Sequence, residues 1–438
     1  MVAIIHLFLI FPGLYRHIPL SRQAVSPFRR GFCPLQVKPH PGKYILDIMA
    51  HTPTATINTR AVTRLRQGHL WIYASDVLSV HDATPGDIVT MQDEKGHPWG
   101  YAFFSSTSQI TLRRCAPPGP PPDRAFWRQR FRQAETYRRQ VVGDTDAYRL
   151  IYGDSDLIPS LLIDRYGEHF VIQTLTQGTD RLLDTWVELL RELYTPASIS
   201  ERNDVSVRQH EDLPQRKGVL DGDLPSEIAI RMNGVSFGVE ILGGQKTGAF
   251  LDQRENYAAA AVYAHGRVLD AFTFTGGFAL HMAPRAVSVL AVDSSEEACA
   301  LAHRNAARNQ ASNITVQQAN VFDFLRELDR DGEHFDTIVL DPPAFVKSKA
   351  ALEGAYRGYK EINLRAMRLL APGGNLVTCS CSYHMTEALF MEMLGDAAED
   401  AGRYIRVIEK RLQARDHPIL LGVPETYYLK CVILQAEE

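Results

Sequence analysis

The sequence has no apolar run long enough to cross a bilayer, no cysteine framework, and none of the glycine signatures that hold a pyrophosphate. The first absence removes the helical membrane proteins, which need about 20 consecutive apolar residues. The apolar stretch at the N-terminus, Val2–Phe11, is too short and is stopped by Pro12-Gly13; no positive charge precedes it, so a secretory signal is a poor fit. The cysteines at 33, 115, 299, 379, 381 and 431 are scattered, apart from the close pair Cys379 and Cys381. Such spacing builds no disulfide scaffold and predicts reduced thiols in an intracellular, cytoplasmic protein. Beside the close pair there is no second cysteine pair and no histidine cluster, so no zinc site is expected. Neither G-x-G-x-x-G nor a P-loop occurs, which disfavours NAD and ATP. A dominant charge is also missing: 47 basic against 51 acidic residues leaves −4, so any basic surface for nucleic acid must be local.

Acidic residues are absent from positions 1–46, which carry Arg16, Arg22, Arg29, Arg30, Lys38 and Lys43. This composition suits a transit peptide, or a start placed too early with translation from Met49. The second reading is preferred, and residues 1–55 are set aside as an unstructured or mis-called extension.

What is present is organised around Val268–Gly277, VLDAFTFTGG, an apolar strand with Asp270 at its end that runs into a glycine turn. Backbone N–H groups and a helix N-terminus at such a turn hold charged or nucleotide-like ligands in open α/β sheets. AVDSS (291–295), IVLDPPAF (338–345) and LVTCSCS (376–382) follow in order, making four strand ends in one domain. Strands near 267–271, 287–292, 314–318, 335–340, 374–380, 404–410 and 426–434 alternate with helices, except between the last two. That pattern predicts a Rossmann-like, mostly parallel sheet over 255–438, closed at one edge by a hairpin with one antiparallel strand.

Upstream, short β-prone runs punctuated by turns predict a small β barrel over 56–117, and PPGPPP (117–122) is a stiff boundary. Residues 118–147 form a basic helical connector with Arg128, Arg130, Arg132, Arg138 and Arg139. These arginines either track a phosphate backbone or merely solvate the helix and pair with acids. Residues 148–254 read as a central α+β domain with hairpins at Tyr166–Glu168 and Asn233-Gly234, and Asn203–Pro225 reads as a loop.

The chemistry falls on the strand ends. Asp293, 23 residues after Asp270, is placed to accept from ribose hydroxyls, or to cap the following helix, or both. An adenosine cofactor without phosphates fits best, which points to S-adenosyl-L-methionine. Asp341-Pro342-Pro343 is a rigid loop that holds a carboxylate and Phe345 toward a base taken out of its stack, or else simply stops a strand. Cys379 reads as a small buried residue. Cys381, further toward the ligand edge, reads as a nucleophile, against the alternative of a second buried cysteine. A thiolate added to carbon 6 of cytosine makes carbon 5 nucleophilic enough to take a methyl group.

RQGHLWIYASDV, GDIVTMQDEKG, SQITLR, GQKTGAFLDQREN, FTGGFALH, NVFDFL, LDPPAFVKSK, RGYKEINLRAM, GGNLVTCSCS and DHPILLGVPETYYLK together are specific. From about Arg60 to the C-terminus the chain resembles the PUA-domain S-adenosylmethionine-dependent methyltransferases that form 5-methylcytosine in bacterial large-subunit ribosomal RNA. The resemblance implies a PUA RNA-binding barrel, a small α+β domain and a Rossmann-like class I methyltransferase domain. It implies that Gln253 and Arg254 cover the cofactor, that Asp270, Gly276, Gly277 and Phe278 line its amino-acid end, and that Asp293 binds the ribose. Asn320 and Asp323 would lie near the adenine, Asp341 would serve cofactor and target base, and Pro342, Pro343 and Phe345 would contact the substrate. Cys381 would be the nucleophile. Relatives of the broader class often carry a second cysteine where this chain has Pro343, so another base must complete the reaction; Ala249 and Phe272 also depart from the family pattern. RNA is the implied partner, no membrane is involved, and the oligomeric state is open, a homodimer included. Two rivals stand beside this reading: methylation of an exocyclic amine, and RNA binding without catalysis.

Overall fold

The computed structural model describes residues 53–243, 248–345 and 352–437. The expected extension therefore lies almost wholly outside the described residues, as do parts of the GQKTGAF and FVKSK motifs.

Strands β1 (Thr54–Ile57), β2 (Trp71–Tyr73), β3 (Val77–His81), β4 (Ile88–Asp93), β5 (Pro98–Phe104) and β6 (Ile110–Ala116) form one sheet in the order β2-β6-β5-β4-β1-β3. Its ends, β2 and β3, do not pair, so the expected barrel is an open half-barrel, and it starts at Thr54, ahead of residue 56. Helix α1 (Thr59–Arg66) buries Ala61, Val62 and Leu65 against Ile57, Ile72, Val89 and Leu112.

Helix α2 (Arg124–Val141), capped by the Asp123 side chain, follows the proline run. Four of its six arginines meet acids: Arg124 and Arg128 meet Glu192 at 3.0 Å, Arg139 meets Glu135 at 2.7 Å, and buried Arg138 meets Asp156, while Arg130 lies over the Phe126 ring. Of the two readings of this helix, the geometry favours the paired and packed one. Its apolar face, Trp127 and Phe131, meets Trp186 of the central unit.

The central unit has strands β7 (Ala147–Tyr152), β8 (Leu161–Tyr166), β9 (His169–Thr174), β10 (Ser198–Arg202) and β11 (Lys217–Gly222) in the order β11-β10-β9-β8-β7, with helices α3 (Gln177–Arg181) and α4 (Leu183–Tyr194). Strand β11 lies inside the segment expected to be a loop; it is a largely exposed edge strand, so it lacks the apolar alternation that betrays a strand. The hairpin β12 (Ile228–Met232) and β13 (Val235–Val239) turns at Asn233 and Gly234, both left-handed at φ 50° and 81°, as a tight primed turn requires.

Helix α5 (Arg254–Tyr263) leads into strands β14 (Arg267–Ala271), β15 (Ser288–Asp293), β16 (Ile314–Gln318), β17 (Phe335–Leu340), β18 (Leu370–Ser380), β19 (Ile405–Arg411) and β20 (Lys430–Ala436). Helices α6 (Gly277–Met282), α7 (Glu296–Arg308), α8 (Val321–Asp331), α9 (Leu352–Leu369) and α10 (Glu387–Ala401) lie between the first six. The strand order is β16-β15-β14-β17-β18-β20-β19, and only β20 runs antiparallel, inserted between β18 and the edge strand β19. Alternate residues feed the two faces. Leu269, Ile338, Leu340 and Leu376 pack on α8, α9 and α10, while Val268, Val339 and Val377 pack on α5 and α6. The order reverses between β14 and β17, so their carboxyl ends open a crevice, the place where such sheets bind ligands.

The connection from β19 to β20 is no tight turn. It carries Asp416, fully buried, whose Oδ1 pairs with Arg254 at 3.1 Å and whose Oδ2 accepts from the Arg149 N–H at 2.9 Å. This pulls β7 of the central unit onto the C-terminal sheet.

Candidate active site

A cavity of about 660 Å³ occupies the crevice. One wall is the β14–α6 turn. Phe272 and Phe274 there sit at φ 69° and 50°, a region that costs a non-glycine residue of order 1–3 kcal/mol, and both line the cavity. Gly276 is left-handed at φ 87°, and a Cβ on Gly277 would fall 2.5 Å from the Tyr257 ring. Those glycines let the chain turn hard enough to bring the α6 N-terminus to the cavity.

Asp270 stands behind this turn, fully buried. Its Oδ2 accepts from the Thr273 hydroxyl at 2.6 Å and the Ala279 N–H at 2.9 Å, while Oδ1 is buried with no hydrogen bond. Desolvation, helped by the nearby Asp293 charge, raises its carboxyl to about 7. Asp293, at the end of β15, accepts from the N–H groups of Phe274 at 2.9 Å and Ser295 at 3.0 Å, and lines the cavity. The helix cap is Ser295, whose side chain accepts from the Ala298 N–H, so Asp293 is not the cap. Asn320 lines the cavity and caps α8, accepting from Phe322 and Asp323.

The far wall is the Asp341-Pro342-Pro343 loop with Phe345. Asp341 Oδ1 accepts from the Gln253 side chain at 2.9 Å, and Gln253 is oriented by Asn256 at 2.7 Å. Cys381 stands at the same cavity, partly exposed, just past the last residue of β18. Cys379 does not share its surroundings. It is fully buried in the α5–α6 core opposite Cys431, and burial pushes its thiol well above the usual range. Because β18 ends at Ser380, between the two cysteines, the strand's alternation does not carry through to Cys381.

The structure thus brings Gln253, Gly277, Phe278, Asp293, Asn320, Asp341, Pro342, Pro343, Phe345 and Cys381 around one cavity. Gly276 and Asp270 support the turn from behind. Two expected residues stand elsewhere. Arg254 is turned away and buried on Asp416, and Asp323 is exposed and paired with Arg326 on its own helix at 3.3 Å. The sequence reading missed Asp252, Tyr257, Phe250 and Phe274, which also line the cavity. Asp252 and Tyr257 sit within one helical turn or so of Gln253, and that spacing was the available signal.

The lining is aromatic and acidic: Asp252, Asp293 and Asp341 contribute carboxylates, and no arginine or lysine is among the described lining residues. Such a cavity repels phosphates and suits a flat, cationic ligand.

Fold and site together define a methyltransferase with a Rossmann-like sheet behind a PUA-like domain. Residues 55–115 match the model of a PUA-like domain, and 264–419 that of a methyltransferase domain. The chain is 41% identical over 382 residues to ribosomal RNA large subunit methyltransferase I of Tolumonas auensis, covering 85% of this chain and 96% of that protein. It is 40% identical over 377 residues to the protein of the same name from Vibrio cholerae, covering 84% and 95%. It belongs to the ribosomal RNA large subunit methyltransferase I family. Its fold is also that of a solved Streptococcus mutans protein described as a candidate SAM-dependent methyltransferase, with a TM-score of 0.75, 20% identity, and coverage of 87% of this chain and 99% of that one.

Proposed function

We propose that this cytoplasmic enzyme methylates carbon 5 of a cytosine in large-subunit ribosomal RNA through a covalent bond to Cys381. The observation that carries the reading is a thiol and an Asp-Pro-Pro carboxylate on one acidic, aromatic cavity at the sheet's switch point. S-adenosylmethionine is the methyl donor, and when bound it supplies an electrophilic methyl group on a sulfonium.

The residues present fit that molecule. Carboxylates on a lining with no arginine or lysine among its described residues suit the sulfonium and the ammonium, buried Asp270 braces the turn where the amino-acid end would lie, and Asp293 offers acceptors for ribose hydroxyls. Phe250, Phe274 and Phe322 supply apolar walls and exclude water.

The chain's own part follows from its geometry. The Cys381 sulfur adds to carbon 6 of an everted cytosine, and the ring's electrons become available at carbon 5. Asp341, fixed by Gln253, accepts a hydrogen bond from the base edge and holds the ring against Pro343 and Phe345. After methylation the carbon 5 proton leaves to a base, the double bond re-forms, and the sulfur departs with its electron pair. RNA is brought to the site by the half-barrel.

Cys381→Ala should abolish methylation of ribosomal RNA, read as 5-methylcytosine by nucleoside mass spectrometry, with S-adenosylmethionine affinity unchanged. Retained activity, or a methylated exocyclic amine as product, would overturn the thiol mechanism.

A further inference from the structure

Lys430 opens β20 directly across from Ser380, the last residue of β18. Its side chain is buried, with 3% of the residue exposed. Its Nζ donates to the Ser382 carbonyl at 2.7 Å and to the Tyr428 carbonyl at 2.8 Å. Ser382 follows Cys381, and Leu429, next to Tyr428, lines the cavity with Cys381. The ammonium is therefore clamped beside the turn that presents the sulfur.

Burying an ammonium costs several kcal/mol unless an anion meets it. Among the described residues no carboxylate is in ion-pair contact with Lys430, and Glu387, the one whose charge reaches it, is engaged by Lys410 and the Tyr427 hydroxyl, each at 3.1 Å. The groups facing Lys430 are Cys381 and Ser382 from the turn after β18, Glu387 from α10, and Tyr428 from the approach to β20. Tyr359 of α9 reaches the same turn through its hydroxyl, 3.1 Å from the Ser382 Oγ. Of this set, Glu387 is engaged by Lys410, burial raises the Tyr359 and Tyr428 hydroxyls above their usual range, and Cys381 is the remaining acid whose charge reaches Lys430. Burial pushes the ammonium down to about 8, and the negative charges of Cys381 and Glu387 pull it back up.

We infer that Lys430 is a positioning residue whose clamped ammonium holds Cys381 as a thiolate. The inference rests on the reading of Cys381 as the nucleophile. An anionic sulfur attacks carbon 6, donating an electron pair as the C–S bond forms, and the charge leaves the sulfur for the ring. In the last step the C–S bond breaks and the pair returns to the sulfur, again beside the cation. Lys430 neither gains nor loses a proton, so one fixed charge lowers the barrier to both addition and departure.

The test is the rate at which iodoacetamide alkylates Cys381 in the full chain from about pH 5.5 to about 9.5, read on the Cys381 peptide by mass spectrometry. The wild-type midpoint should lie about one unit or more below the ordinary thiol value of about 8.5. Lys430→Met should raise it by about one unit or more and slow labelling at neutral pH about tenfold, whereas Lys430→Arg should keep it close to wild type. Calorimetry with S-adenosylmethionine checks that each variant is folded. A wild-type midpoint at or above about 8.5 overturns the inference, even should Lys430→Met fail to fold, and so does an unchanged midpoint in a folded Lys430→Met. The labelling does not depend on turnover. An active Cys381→Ala therefore sinks the nucleophile reading alone, while an unshifted midpoint beside an inactive Cys381→Ala sinks the Lys430 inference alone.

Discussion

Asp270 ties the stability of this fold to pH in a direction opposite to that of most carboxylates. In the native state its carboxyl titrates near 7 because it is buried and one oxygen finds no donor; the ordinary aspartate value is 3.8. Between those values the native protein holds a proton that the unfolded chain has released. Stability therefore falls as pH rises through that window, by about 1.4 kcal/mol per unit and about 4 kcal/mol in all. Asp180 and Asp204, whose arginine partners depress their titration, act only at lower pH and with the opposite sign. Asp270→Asn keeps an oxygen for Thr273 and Ala279 but cannot ionise. Urea unfolding at about pH 5 and about pH 8 should show the variant gaining about 2.5 kcal/mol relative to wild type at the higher pH. A ligand that places a cation at the free oxygen reverses the preference. Affinity for S-adenosylmethionine should thus tighten toward neutral pH in the wild type and respond less in Asp270→Asn. A wild-type-to-variant difference that does not change with pH would refute the account of a buried, half-satisfied carboxyl.

Gly277→Ala forces a Cβ to within 2.5 Å of the Tyr257 ring, which is packed between Phe278 and His281. Overpacking of this kind costs about 1–3 kcal/mol, so a lower Tm by thermal melting and weaker S-adenosylmethionine binding by calorimetry are expected together. Arg254→Met leaves Asp416 buried against the Arg149 N–H without its cation, which should cost about 3–5 kcal/mol in urea unfolding. Since Arg254 does not line the cavity, the cofactor Kd of any folded fraction should stay within about twofold, the opposite of a cofactor-covering role.

How much of this was legible follows from which interactions are local. The seven strands of the C-terminal sheet could be read because apolar β-prone runs ending in Asp270, Asp293 and Asp341 are written in consecutive residues. Asn320 could be placed near a ligand, but its neighbour Asp323 could not be told from it, because one side of a helical turn faces the cavity and the other faces solvent. Arg254 beside Gln253 failed for the same reason, with a further cause: its partner Asp416 is 162 residues away. Strand β11 escaped because an exposed edge strand has little reason to alternate. The openness of the half-barrel depends on whether its first and last strands in space meet, and no local pattern encodes that.

The same limit explains why Lys430 drew no notice, and why its position matters. The cavity must meet two opposite electrostatic demands within one enclosure. A cationic methyl donor is favoured by carboxylates and repelled by ammonium groups, whereas a sulfur nucleophile needs the reverse. Asp252, Asp293 and Asp341 face the cavity directly. Lys430 is withheld from its lining, spending two N–H groups on the Ser382 and Tyr428 carbonyls, the first next to Cys381 in the chain. A lysine placed in the open beside Asp341 would compete with the cofactor's own charge; one clamped on the Ser382 and Tyr428 carbonyls, outside the lining, would act on a thiolate at Cys381 without meeting the donor directly. The chain thus separates the two fields by putting the cation on β20, the one antiparallel strand, whose first residue falls beside the last residue of β18.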